Sequence, residues 1–171
     1  MGNAVNPLLE ANVYRALDMD LQDWAKSLTV PFIDAAIRDP FVLKDEDEAV
    51  SLTLQTVRKP PTRRTVYQGV FGFNIICLSK RGDMRDDGLK DRHLILASLA
   101  DNRYRQIELP IFDRVGGHAT TYIATLEAVE ATINIVDKRL MVFGGKTDRT
   151  DDTPPTVQAV VSVSAVLIQG A

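Results

Sequence analysis

Between residues 7 and 28 the apolar positions fall at steps of three and four: Leu9, Val13, Ala16, Leu17, Leu21, Trp24 and Leu28. That spacing gathers them on one stripe of an α-helix, with Glu10, Arg15, Asp18, Asp20, Asp23 and Lys26 mostly off it. Asn6 is placed to cap the first turn, Pro7 suits the first helical position, and Pro31 prevents continuation. The stripe predicts core packing. The segment Phe32–Leu43 admits either a short strand or a helical turn ended by Pro40. The run Lys44-Asp45-Glu46-Asp47-Glu48 must stay in water or face a partner.

From Ala49 to Arg58 the period changes to two. Val50, Leu52 and Leu54 take one parity and Ser51, Thr53 and Gln55 the other, which predicts a half-buried strand. Lys59-Pro60-Pro61-Thr62-Arg63-Arg64 ends it, because neither proline donates a backbone hydrogen bond; the sequence predicts a protruding loop with a basic tip. Residues 64–79 form the strongest strand. Tyr67, Phe71, Phe73 and Ile75 share one parity, Val66, Val70 and Ile76 the other, so the strand is expected in the middle of a sheet, covered on both faces.

A polar loop, Lys80–Gly88, leads to a second amphipathic helix from about Asp86 to Ala100, with Leu89, Leu96 and Leu99 on its apolar side and His93 and Ile95 near its edges. Tyr104–Phe112 is a strand candidate interrupted by Pro110, and Gly116-Gly117 marks a turn. Residues 119–136 carry mixed signals. Thr, Tyr, Ile and Val favour strand while ATLEAVEA alone favours helix; we read mainly strand. Arg139–Phe143 is a further strand candidate, Lys146–Pro155 a polar loop, and Val157–Ile168 a Val-rich terminal strand. The order predicts a single α+β domain over residues 1–171: two helices on a mainly antiparallel sheet.

Composition changes this picture little. The chain has 171 residues, 45% apolar and 25% charged, which is a globular balance and excludes a disordered or collagen-like protein. One cysteine, Cys77, excludes a disulfide framework and fits a reducing compartment. No run approaches the roughly 18 apolar residues of a membrane span, and the N-terminal residues lack the basic and apolar regions of a secretory signal. Met1-Gly2-Asn3 is a weak match to a myristoylation start, since Asn6 replaces the usual Ser or Thr.

Charge is more informative. Residues 1–57 hold 4 Lys/Arg against 10 Asp/Glu, residues 58–105 hold 11 against 5, and residues 106–171 hold 5 against 8. Such segregation fits a polar contact with a partner or another copy of the chain, or simply a clustered solvated surface. The residues singled out for that contact are Arg58, Lys59, Arg63, Arg64, Lys80 and Arg81 on the basic side, and Asp45, Glu46, Asp47 and Glu48 on the acidic side.

Candidate chemistry is sparse. There are two histidines, His93 and His118, and no GxSxG, HExxH or CxxC. Cys77 lies inside an apolar strand and reads as structural. His93 reads as a surface or helix-edge residue and His118 as exposed. Two histidines 25 positions apart do not make a metal site. Gly69-Val70-Phe71-Gly72 precedes more strand, not a helix, so it cannot serve as a dinucleotide turn, and Asp148–Asp152 lacks the features of a calcium loop. The basic loops lack interleaved aromatics, which argues against specific nucleic-acid recognition. No cofactor is implied.

One resemblance extends the reading. An N-terminal amphipathic helix at Pro7–Leu28, the strand and hairpin LTLQTVRKPPTRR, the aromatic–glycine strand Tyr67-Gln68-Gly69-Val70-Phe71-Gly72-Phe73-Asn74-Ile75, a polar loop, a second helix at Leu89–Ala100 and the terminal strand Val157–Ile168 together resemble the tail-terminator, or minor tail protein, family at the neck of long-tailed bacteriophages. The resemblance covers residues 7–109 and 157–168; residues 110–156 are longer than the family pattern and would then hold an extra inserted hairpin or loop. It implies a non-enzymatic virion protein, assembled in the host cytoplasm, that forms a homo-oligomeric, six-membered ring. The ring would cap the tail tube protein and meet the head–tail connector or stopper, and DNA would pass its lumen without specific recognition. Acidic loops such as Asp45–Glu48 or Asp148–Asp152 would suit that lumen, or equally the outer surface. Two other classes stay open: a cone-shaped α+β ligand-binding domain or enzyme like nuclear transport factor two, with His118 and Asp113 as its pair, and another virion or dimeric interaction module.

Overall fold

The computed structural model describes residues 9–56, 70–80, 92–136 and 156–168. The predicted N-terminal stripe becomes helix α1 (Leu9–Ser27), which buries Leu9, Val13, Leu17, Leu21 and Trp24 and leaves Leu28 partly in solvent. Asn6 and Pro7 lie outside the described residues. The helix does not need Pro31 to stop it. Thr29 adopts a left-handed φ of 57°, the Val30 amide donates to the Ala25 carbonyl at 2.9 Å, and the Thr29 amide donates to Lys26 at 3.1 Å. These two bonds satisfy the last carbonyls of the helix and turn the chain sharply.

The chain then forms β1 (Phe32–Ile33), β2 (Glu48–Thr56), β3 (Val70–Lys80), helix α2 (Arg92–Tyr104), β4 (Glu108–Asp113), β5 (His118–Val136) and β6 (Thr156–Ile168). The architecture is α+β: two helices on one six-stranded sheet, curled into a half-barrel, in the order β1-β2-β3-β6-β5-β4. β1 runs parallel to β2; every other neighbouring pair is antiparallel. The terminal strand β6 therefore sits in the middle, between β3 and β5.

Alternation decides which side chains meet the helices. Val50, Leu52, Phe73, Ile75, Cys77, Val161, Val163, Leu126 and their neighbours point toward α1 and α2 and form the main core. On the opposite face Ile33, Leu43, Ala49, Ile76 and Leu78 form a second, smaller cluster. β3 is thus buried on both faces, as its two apolar parities require. Asn74 and Gln158 are also buried on that second face, each with a side-chain oxygen that has no hydrogen-bond partner.

Three expectations are corrected. The second helix reaches Tyr104, which the sequence reading placed in a strand. Tyr104 is buried, packs edge-on against Trp24 and Phe73, and donates its hydroxyl to Asp20 of α1 at 2.8 Å. Burial, then the nearby Asp20 carboxylate, push this phenol far above its ordinary range, so it stays a donor. Pro110 does not break the strand after it. It lies within β4, the edge strand of the sheet, where a missing N–H costs no ladder bond on the outer side, and the register shifts only after Ile111. His93 is buried and not a surface residue.

The ambiguous stretch 119–136 is one long strand with an irregularity between Ala128 and Glu130. β4 and β5 form a hairpin whose turn needs glycine at one point: Gly117 has φ +82°. Asn12 of α1 anchors this hairpin, donating to Asp113 at 3.3 Å and accepting from the Val115 amide at 3.0 Å. The Arg139–Phe143 strand and the Lys146–Pro155 loop fall outside the described residues.

A β-branched residue at a left-handed position carries a local cost of roughly 1–2 kcal/mol. Thr29 is exposed. Thr29→Gly is therefore expected to raise stability by about 1 kcal/mol, or a Tm gain of about 2–4 °C. Thermal unfolding followed by circular dichroism checks this; an unchanged or lower Tm would show that the turn carries no such cost.

Candidate subunit interface

β1 and β2 are parallel, so the chain must travel back along the sheet between them. The connection, residues 34–47, does this at the β1 end of the strand order. It is ordered by its own polar groups. Asp34 accepts from the Ala36 amide at 2.9 Å, and Asp39 accepts from the Phe41 amide at 2.9 Å, two turns that aspartate favours. Arg38 forms an ion pair with Glu46, and Glu46 also accepts from the Lys44 amide at 3.0 Å. Leu43 plugs the loop into the second hydrophobic cluster.

Beside the exposed Asp39, Lys44, Asp45 and Asp47, the loop also presents apolar side chains outward. Ile37 is 81% exposed, and Phe41 and Val42 are exposed beside it in sequence. A large apolar side chain held in water by a fixed backbone is the kind of surface that marks an interaction site. In the sequence these residues stand among the charges of the segment, which draw the reading to the acidic run. The available signal was the pair of aspartates, Asp34 and Asp39, around Arg38 and Pro40.

The acidic residues chosen from sequence are partly spoken for within the chain. Glu48 accepts from Arg92 of α2, with Arg92 Nε at 2.8 Å from Glu48 Oε2. Asp47 lies 3.9 Å from Lys80 and also accepts the Lys80 amide through its carbonyl at 2.8 Å. Asp45 is exposed. Burial works to raise the Glu46 carboxyl, but the amides at Glu46 and Lys44 and the Arg38 guanidinium outweigh it, and its pKa is lowered. Glu46 thus braces the loop internally, Asp47 ties it to Lys80 of β3, Glu48 ties its end to Arg92 of α2, and Asp45 remains outward. Arg58, Lys59, Arg63, Arg64 and Arg81 lie outside the described residues, as does Asp148–Asp152.

Beneath the loop, Tyr14 and Asp18 of α1 face Asp34. Burial raises the Asp18 pKa, Asp34 adds to the effect, and Gln22 and Arg15 oppose it. Asp18 Oδ2 accepts from Gln22 at 2.8 Å, while Oδ1 is buried without a partner. Burial, followed by Asp18 and Asp34, also raises Tyr14.

The groups with potential reactivity sit elsewhere. Cys77 is buried in β3, and burial pushes its thiol up to about 12, so it stays protonated. His93 opens the first turn of α2; its amide donates to Ser79 Oγ at 3.1 Å, and its Nδ1 lies 3.2 Å from the same oxygen. This contact ties α2 to the end of β3. His118 and Asp113 are opposed across the β4–β5 hairpin, but His118 is exposed and Asp113 is engaged by Asn12 and the Gly116 amide at 2.9 Å. Among the described residues no group of three or more His, Cys, Asp and Glu is gathered to hold a metal, and no helix is long and apolar enough to cross a membrane. No family model matches the chain, and no curated protein or solved structure matches it.

The Asp18 carboxyl gives a test with a definite sign. Its folded pKa lies above its unfolded value, so the native state holds this proton more tightly than the unfolded chain does. Its ionisation costs the fold nothing below the unfolded pKa of about 4; the penalty grows as pH rises through the folded pKa and is constant above. Asp18→Asn keeps an acceptor for Gln22 and removes the charge. It should raise Tm at pH 7, with the gain vanishing below about pH 4. A gain of equal size at both pH values would contradict the charge argument.

Proposed function

We propose that this protein is a structural assembly subunit, a tail-terminator or neck protein of a tailed bacteriophage virion that forms a ring, caps the tail tube protein and meets the head–tail connector or stopper. The observation that carries the reading is the loop 34–47. It is fixed by its own turns and ion pairs, rooted in the sheet by Leu43, and holds Ile37 and Phe41 in water. Such a loop is built for contact with a protein surface, because its ordering entropy is already spent before a partner arrives. The resemblance in element order supplies the virion setting. On this reading the six copies are related by rotation, DNA passes the lumen without specific recognition, and assembly takes place in the host cytoplasm.

The burial of Cys77 and His93 also supports a role without turnover. The alternative, a cone-shaped ligand-binding domain, loses support from its own candidate pair, since His118 and Asp113 stand at the outer end of a hairpin and not in an apolar cavity.

Native mass spectrometry and negative-stain images of the purified full chain test the reading. The expected result is a closed ring, most simply of six copies, with an open lumen. A strict monomer at high protein concentration and low salt would overturn it. His118→Ala should leave assembly intact. His93 is unsuitable for the same experiment, because its removal empties a buried site against Ser79.

A further inference from the structure

A subunit that closes into a ring needs two different patches that fit each other. The loop at the β1 end is one. The second lies at the other end of the strand order. β4 ends at the pair Glu108 and Glu127, and the Ala128 amide still donates to the Ile107 carbonyl at 3.0 Å; beyond Ala128, β5 is paired with β6 alone among the described residues.

This open stretch, residues 131–136, reads Ala-Thr-Ile-Asn-Ile-Val. It carries no charge and no proline, the devices that normally protect a free edge. The Ala131 carbonyl accepts from Arg105 at 3.0 Å, so Ala131 turns its backbone outward, and the alternation of an antiparallel strand turns Ile133 and Ile135 the same way. Ile135 is 61% exposed, Ile133 is exposed, and Val129 at the strand irregularity is 66% exposed. Among the described residues the cation beside this edge, Arg105, is matched by Asp101 at 2.8 Å, and Glu130 is exposed between Val129 and Ala131, so the open stretch itself offers an apolar surface next to one carboxylate.

Position links the two patches. Phe32 pairs with Val50, Val50 with Cys77, Cys77 with Ala159, and Ala159 with Ile135. The strand from which the loop departs and the open part of β5 therefore stand on one transverse row, at opposite ends of it. A neighbour placed head to tail meets them at one height, which suits a ring more than a climbing filament.

We infer that the loop residues Ile37, Phe41 and Val42 of one copy seat against Val129, Ile133 and Ile135 on the open β5 edge of the next copy. This rests on the ring reading above and names its contact. The occupant is a second copy because one chain carries both an apolar projection and an unprotected apolar edge, on one row and too far apart in the strand order to meet each other.

The test uses two full-length variants, Ile37→Asp and Ile135→Asp, whose melting temperatures are expected to match the parent because both side chains are exposed. Each alone should sediment as a monomer. Mixed one to one, they should form a dimer that grows no further, since one intact edge and one intact loop remain. A cross-link supplies the second measurement: Ile37→Cys and Ile135→Cys chains, mixed and oxidised, should form a disulfide between different copies, with buried Cys77 taking no part. A parent ring that persists in both Asp variants overturns this contact and leaves the ring reading standing. A parent that never assembles overturns both. A drop in melting temperature for Ile135→Asp without loss of assembly means the chain covers this edge itself, and likewise overturns the contact.

Discussion

A sheet that curls halfway into a barrel has a concave face that must be filled, and α1 is the piece that fills it along one side. It touches both ends of the strand order, β4 at one and β1 with β2 at the other. Each end is pinned by a different kind of bond. Asn12, buried, holds the β4–β5 hairpin, and the turn at Thr29 delivers the chain into β1. Between them Leu17, Leu21 and Trp24 close the core. Asp20 then receives both Tyr104 and Arg103, at 2.8 and 2.9 Å, and fixes α2 against α1. Loss of a large aliphatic from this helix, Leu17 for instance, would open a cavity beneath both helices, a change that typically costs about 2–5 kcal/mol.

The same geometry explains why the loop after β1 is rigid without regular structure. A parallel neighbour obliges a long return connection, and a connection lying on a sheet must hide one face and satisfy its amides. Leu43 does the first, Asp34, Asp39 and Glu46 the second. The ion pairs with Arg38, Lys80 and Arg92 are largely at the surface, and pairs of that kind contribute about 0–1 kcal/mol each. Their role is positional: they decide where Ile37 stands.

Much of this was legible in the sequence because most of the fold obeys simple periods. The stripe of α1, the alternation of β2 and the two apolar parities of β3 each translate into one burial pattern. Tyr104 reads as a strand start because an aromatic beside charged residues looks like one, whereas its position four residues after Ala100 continues the buried side of α2. Pro110 looked like a breaker because local sequence does not say whether a strand is central or at an edge. His93 looked exposed among charged neighbours, and only the approach of β3 brings Ser79 to it. The interface was harder still. Hydrophobicity in Ile37, Phe41 and Val42 reads as core in a one-dimensional pattern, and what keeps these side chains in water is a set of turns anchored on aspartates. The charged residues that drew attention are partly neutralised within the chain.

The last strand of the chain is the middle strand of the sheet. β3 finds its second partner only when residues 156–168 are available, roughly ninety positions later in the sequence. During synthesis at about 5–20 residues per second, the ribosome therefore releases α1, β2 and β3 with one flank of β3 unfinished. The sheet cannot close until residues 156–168 have emerged. From the emergence of β3 until that of β6, a nascent chain carries an apolar strand edge without its second partner. Removal of residues 160–168 would take away the strand that joins β3 to β5 and divide the sheet into two halves.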